Sequence, residues 1–262
     1  GDLDVAVGAG DGRIYVFRND GTNDEPDFVA DTSWFTYDVG SYSSPIVADT
    51  DNDGDYDLLI GNSGGIIYHY RNDGTLSSPS WTYVTNNYLG VDVGSYARPE
   101  FADMDDDGDY DVLVGNLDGY VYYFRNDGTV SSPSWTQVSN NYLGVDAGAY
   151  VIVGVGDIEG DGDYDVLVGN LDGYVYYFRN DGNSTNPSWT HVSSDWFSRD
   201  FGILAAPGIG EFGAGNYDLI IMNSIGAAAH YKKELRGTLI ENSTGLVIFD
   251  YCDEQYPLAC VK

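Results

Sequence analysis

The run Asp103-Met104-Asp105-Asp106-Asp107-Gly108-Asp109-Tyr110-Asp111 carries carboxylates at positions one, three, five, seven and nine around a glycine at position six. Asp49-Thr50-Asp51-Asn52-Asp53-Gly54-Asp55-Tyr56-Asp57 repeats it upstream. Asp157-Ile158-Glu159-Gly160-Asp161-Gly162-Asp163-Tyr164-Asp165 repeats it downstream. Carboxylates this dense repel one another unless a cation lies between them. Calcium suits the arrangement, because it takes roughly six to eight oxygens at about 2.3–2.6 Å and the glycine allows a sharp wrapping turn. An EF-hand is a poor reading. Its twelfth position needs a bidentate glutamate, and Ile60, Val114 and Val168 stand there.

Other chemistry is harder to find. His69, His191 and His230 share no repeat position with one another or with a nucleophile. No phosphate cradle or Ser/His/Asp arrangement can be argued, and the paired carboxylates that a glycosidase would need are absorbed by the calcium reading. The expectation is therefore a protein that is not an enzyme. The net charge of −31, from 42 acidic and 11 basic residues, argues against nucleic acid as a partner, which needs Lys and Arg to neutralise phosphate. It disfavours anionic membranes for the same reason. No apolar run approaches the roughly 20 residues that span a bilayer, so no membrane insertion is expected. Cys252 and Cys260 lie one hairpin apart and could form a disulfide. Asn183 and Asn242 head Asn-x-Ser/Thr sequons for glycosylation. Together these point to an extracellular or cell-surface protein, whose secretion signal would lie upstream.

The elements that must hold the acidic loops recur with them. Asp4, Asp57, Asp111, Asp165 and Asp218 mark five repeats, spaced by 53 or 54 residues. Each unit reads as four strands. One precedes the acidic loop, as at 44–48 and 98–102, and one follows it, as at 111–115. After an Asp-Gly turn comes a third, at 120–125, and a fourth starts near Pro133-Ser134-Trp135. The third strand is apolar on both faces, so it must be covered on both. Stacked four-stranded sheets achieve that, and the fold expected is all-β: a single β-propeller domain over 1–262 with about five four-stranded blades of about 53 residues. The repeats run approximately 1–43, 44–97, 98–150, 151–204 and 205–262. Read from Gly1, the first repeat starts halfway through an acidic loop and lacks its first strand. A C-terminal strand at 246–250 could complete that blade and close the ring. The same vacancy could instead be filled by a neighbouring subunit, which would propagate into a filament.

The pattern D-x-D-x-D-G-x-x-D, then a strand, Gly-Asn, a hairpin and Tyr-Tyr-Phe-Arg-Asn-Asp-Gly-Thr, resembles the FG-GAP/VCBS repeat family of calcium-binding β-propellers, similar to integrin α-subunit heads and several secreted lectins. The resemblance implies three calcium sites. One would use Asp49, Asp51, Asp53 and Asp57 with the carbonyl of Asp55. The next would use Asp103, Asp105, Asp107 and Asp111 with the carbonyl of Asp109. The last would use Asp157, Glu159, Asp161 and Asp165 with the carbonyl of Asp163, Glu159 departing from the family's Asp. The fifth repeat has Gly210, Phe212 and Ala214 at ligand positions, so no metal is expected there.

Arg18, Arg71, Arg125, Arg179 and Lys232 share one repeat position and read as ion pairs tying the third strand to nearby carboxylates. Trp81, Trp135 and Trp189 read as packing residues, whereas Tyr88, Tyr142 and Trp196 lie nearer the inter-blade loops and are the better candidates for exposed ligand-binding platforms. The function expected is a structural or adhesive module that binds copies of itself or an extracellular protein or glycan. A carbohydrate-binding lectin with sites between blades is the alternative.

Overall fold

The structure, a computed structural model, describes residues 4–21, 27–31, 35–76, 78–211, 217–224, 228–233 and 239–241. All its regular elements there are strands. The first repeat contributes β1 (Val5–Gly8), β2 (Ile14–Asn19) and β3 (Phe28–Asp31), in a three-stranded sheet. The second contributes β4 (Ser44–Ala48), β5 (Asp57–Gly61), β6 (Ile67–Asn72) and β7 (Trp81–Thr85). The third gives β8 (Arg98–Ala102), β9 (Asp111–Gly115), β10 (Val121–Asn126) and β11 (Trp135–Ser139). The fourth gives β12 (Ile152–Gly156), β13 (Asp165–Gly169), β14 (Val175–Asn180) and β15 (Trp189–Ser193). The fifth gives β16 (Ala206–Glu211), β17 (Tyr217–Met222), β18 (Ala228–Lys233) and β19 (Leu239–Glu241). Each of the last four repeats is one four-stranded sheet in sequential order, with antiparallel neighbours.

The strands fall where the repeat pattern puts them, with small shifts. The third strand starts at Val121, one residue later than expected. The fourth begins at Trp135, because Thr129 and Ser132 first pair across their own short turn. The second strand is the most protected: every residue of β5, β9 and β13 is buried. In the third strand Val121, Tyr123 and Phe124 are all buried, which confirms that both of its faces are covered.

By contact the chain divides into two compact units, Gly1–Pro99 with Gly128–Trp135, and Glu100–Asp127 with Thr136–Lys262. In the first, an apolar layer of Ile14, Val16, Phe35, Val39, Leu58, Ile60 and Tyr70 joins the sheets of the first two repeats. In the second, one layer joins the third and fourth repeats through Leu113, Val121, Val151, Val166 and Phe178, and another joins the fourth and fifth through Leu167, Val175, Leu219 and Ile221. Sheets stacked face to face over such layers form a β-propeller arrangement of blades.

Glycine makes the stacking possible at one recurring point, the end of the second strand in the first four repeats. A Cβ on Gly61 would lie 2.1 Å from the Ala97 carbonyl oxygen, and one on Gly169 would lie 2.0 Å from that of Ala205. The chain entering the next blade crosses there and is tied on by Ala97 N–H to the Asn62 carbonyl (3.0 Å) and Ala205 N–H to that of Asn170 (2.9 Å). Residues 212–216, 225–227, 234–238 and 242–262 lie outside the described residues. With them lie the proposed closing strand, Cys252, Cys260 and Asn242.

Candidate metal centre

Each acidic loop bridges the first and second strands of its blade. Its first carboxylate folds the loop over itself. Asp49 accepts from the backbone N–H groups of Asp53 (3.3 Å) and Gly54 (3.1 Å), and Asp103 from those of Asp107 (3.1 Å) and Gly108 (3.0 Å). The fourth position takes a left-handed backbone, with φ of 60° at both Asn52 and Asp106 and 80° at Gly160. Asn, Asp and Gly are the residues that tolerate this conformation. Gly54, Gly108 and Gly162 have φ between 93° and 98° and open space where a Cβ would go. Conformation, not crowding, requires glycine there.

The fold gathers the carboxylates of positions one, three and five. Asp49, Asp51 and Asp53 each place an oxygen within 4.8 Å of the others, and so do Asp103, Asp105 and Asp107. In each triad one oxygen of the middle residue, Asp51 Oδ1 or Asp105 Oδ1, is buried without a hydrogen-bond partner. Burial, and then the neighbouring carboxylates, push the Asp51 and Asp105 carboxyls above the usual range. A buried acceptor oxygen facing two other carboxylates fits a hard divalent cation, and the all-oxygen donor set favours calcium.

The third loop does not gather in this way: among the described residues no such triad forms at Asp157, Glu159 and Asp161. Glu159 instead lies 3.5 Å from Arg179. Position nine has a structural part of its own in all three loops. Asp57, Asp111 and Asp165 are fully buried and lie outside the triads. Oδ1 of each accepts from the backbone N–H of Asn72 (2.8 Å), Asn126 (2.8 Å) or Asn180 (2.9 Å). Oδ2 accepts from the N–H of Thr50 (3.0 Å), Met104 (3.2 Å) or Ile158 (3.1 Å). These carboxylates staple the loop entry to the end of the third strand.

The staple is completed differently in different repeats. Tyr123 and Tyr177 donate their hydroxyls to Asp111 (2.9 Å) and Asp165 (3.2 Å). In the second repeat His69 replaces the tyrosine, and Thr50 bridges it to Asp57, with the hydroxyl 3.0 Å from His69 Nε2. Burial pushes Asp111 and Asp165 up to about 6 against these hydrogen bonds. At Asp57 burial also raises the carboxyl, but hydrogen bonds from His69, Thr50 and the Asn72 N–H outweigh it, and the carboxyl is held low. His69 is thereby a structural partner. His191, exposed on β15, lies 3.1 Å from Ser194 Oγ, and no carboxylate orients its ring among the described residues.

The recurring arginines do form ion pairs. Arg18, Arg71, Arg125 and Arg179 each place Nε 2.6 Å from the aspartate two residues on: Asp20, Asp73, Asp127 and Asp181. All are solvent-facing, so each contributes little to stability. The side chain of Lys232 lies outside the described set.

The expectation for exposed aromatics needs correction. Tyr88, Tyr142 and Trp196 are half-buried, not presented to solvent. Tyr88 lies 4.8 Å from the His69 ring and 5.3 Å from Trp135. Tyr142 lies 4.4 Å from Tyr123 and 5.4 Å from Trp189. Trp196 lies 4.5 Å from Tyr177. Covering a large apolar third strand consumes these rings, and the tryptophans pack as expected. Among the tyrosines that do face solvent are Tyr56, Tyr110 and Tyr164, at position eight of the acidic loops. Asn183 is exposed on a turn, its carbonyl oxygen accepting from the Thr185 hydroxyl (2.9 Å) and the Asn186 N–H (2.9 Å). A polar cavity of about 240 Å³ lies between the second and third acidic loops, walled by Asp103, Asp106, Asp157, Tyr164, Asn180 and Ser184.

Among known proteins, residues 49–114 and 103–168 match the FG-GAP-like repeat family. No curated protein sequence matches the chain. A solved Agrocybe aegerita lectin, described in terms of its specific recognition of non-reducing terminal N-acetylglucosamine, is similar at 19% identity and TM-score 0.46, over 95% of this chain and 63% of the other. A structure of BBS1N in complex with ARL6DN, soaked with lead, is similar at 12% identity and TM-score 0.36, over 80% of this chain and 58% of the other. The chain thus spans less than two thirds of either. The acidic loops, their four-stranded blades and the family match agree: residues 49–168 carry FG-GAP-like repeats, in a β-propeller arrangement of blades.

Proposed function

We propose that the protein is a non-enzymatic extracellular β-propeller, stabilised by calcium, that serves as a structural or adhesive module. The observation that carries this reading is the pair of carboxylate triads, each with a buried oxygen lacking any partner. Calcium bound there supplies positive charge that cancels the repulsion of the loop. Asp49, Asp51 and Asp53 would hold one ion and Asp103, Asp105 and Asp107 another, with the third loop as a further site. The ring has five blades. A blade edge open to a second copy of the chain would make it a unit of a surface filament. The exposed Asn183 turn and the two C-terminal cysteines fit an oxidising, glycosylating compartment. Chelation with EDTA is expected to lower the melting temperature by several degrees and calcium to restore it. An unchanged melting curve overturns the calcium reading. Light scattering and electron microscopy in millimolar calcium test assembly, and a strictly monomeric particle sinks it.

The polar cavity beside Tyr164 favours a second reading, a lectin. Its carboxylates and hydroxyl can hydrogen-bond a polyol while the exposed tyrosine ring offers a stacking face. A glycan array probed in millimolar calcium with wild type and Tyr164→Ala decides it. Binding lost in the variant supports it, and no bound glycan removes it.

A further inference from the structure

We propose that the three acidic loops form a graded series for calcium, set by how far the arginine closing the third strand draws off the carboxylate at position three. The proposal rests on the calcium reading above and concerns differences among its sites.

In the 103–111 loop, Arg125 holds Asp127 at 2.6 Å and acts on Asp105 through its charge, without an ion pair to it among the described residues. Asp105 Oδ1 has no partner, and the triad is formed. In the 49–57 loop, Arg71 holds Asp73 at 2.6 Å and also stands 3.9 Å from Asp51 Oδ2. Asp51 Oδ1 stays unpartnered and the triad is still formed. In the 157–165 loop, Arg179 holds Asp181 at 2.6 Å and reaches Glu159 at 3.5 Å. The extra methylene of Glu159 carries its carboxylate out to the guanidinium, and no triad forms. Position one differs as well: Asp157 accepts from three backbone N–H groups, those of Gly160, Asp161 and Gly162. Asp103 accepts from two.

A guanidinium beside the position-three carboxylate is an internal cation. Calcium must displace it before that carboxylate can ligate. The loops therefore fill in the order 103–111, 49–57, 157–165. Arg179 acts as a latch on the last, a positioning residue that touches the ligand and not the ion. Late filling also has a local target, because Asp163 Oδ1 accepts from the Ser184 N–H at 2.9 Å and so ties this loop to the Asn183 turn.

The test is calcium calorimetry on the chelator-stripped full chain, with bound ions counted by native mass spectrometry. Wild type is expected to show a last site about tenfold weaker than the first, since affinity follows ligand charge and rigidity. Asp161→Asn removes only that last phase, and Asp105→Asn removes the first. Arg179→Gln tightens the last site about two- to fivefold, the worth of an exposed ion pair. Glu159→Asp, which leaves the Arg179–Asp181 pair intact, does the same and serves if Arg179→Gln fails to fold. Arg125→Gln leaves the first site within about twofold. Three equivalent sites overturn the proposal, as does a last phase that neither Glu159→Asp nor Arg179→Gln moves. Absence of any calcium binding overturns instead the reading on which it rests.

Discussion

Glu100, in the middle of β8, carries a carboxyl that burial alone pushes up to about 8. Its folded pKa lies above its unfolded one, so the folded state holds the proton more tightly. The stability this contributes is complete below about pH 4 and is lost as the pH rises through 8. Glu100→Gln keeps the shape and removes the titration. We expect it to be near neutral at pH 4 and to stabilise by about 1–3 kcal/mol at pH 8, read from urea unfolding at the two pH values. Near-equal effects at both would contradict the assignment. The position-nine carboxylates call for another substitution. Tyr123→Phe deletes one of the three hydrogen bonds counted here on Asp111 and should cost about 1 kcal/mol. Asp111→Ala strands two buried N–H groups and should cost about 2–4 kcal/mol. Sequence spacing alone groups all five acidic positions together. It cannot separate the gathered triad from the staple, because that division depends on which backbone N–H groups the fold brings to Asp111.

Strand positions were easier to read. The 53- and 54-residue recurrence, Asp-Gly turns and apolar runs locate nearly every strand within a residue or two. The glycine ending the second strand of the first four repeats has a less visible reason, since its constraint comes from the chain entering the next blade. Gly115→Ala would bring a Cβ to 2.3 Å from the Val151 carbonyl oxygen, and backbone must move. A loss of about 1–3 kcal/mol is expected, together with loosened amide protection at Val151 in hydrogen exchange. Gly108→Ala meets nothing within 4 Å and carries only the cost of its φ of 93°, about 1–2 kcal/mol, with Val151 protection unaffected. The half-buried placement of Tyr88, Tyr142 and Trp196 was illegible for a related reason. Their rings are claimed by His69, Tyr123 and Tyr177 on the third strands, and a pattern of aromatics in a chain does not say which ones the packing will use.

At the scale of the molecule, a net charge of −31 makes self-repulsion a persistent cost, and metal and salt are two ways of relieving it. In EDTA, raising sodium chloride from about 10 mM to about 1 M shortens the screening length from about 30 Å to about 3 Å and should raise the melting temperature by several degrees. In saturating calcium the same change should do markedly less. Equal responses in the two conditions would mean that the acidic loops are not where the repulsion is concentrated.

The aspartate staple has a further consequence, which concerns descent more than stability. Every partner of Asp111 (Met104, Tyr123 and Asn126) belongs to its own repeat, and the same holds for Asp57 and Asp165. What one repeat requires of the next is a glycine at the crossing, an apolar face and a few hydrogen bonds to loop carbonyls, such as that from Asn170 Nδ2 to the Ala147 carbonyl. A block of this length can be copied, deleted or exchanged by recombination without severing any staple. The near-identity of residues 108–128 and 162–182 is the trace such copying leaves, and the loops are then free to diverge one at a time, as Glu159 already has.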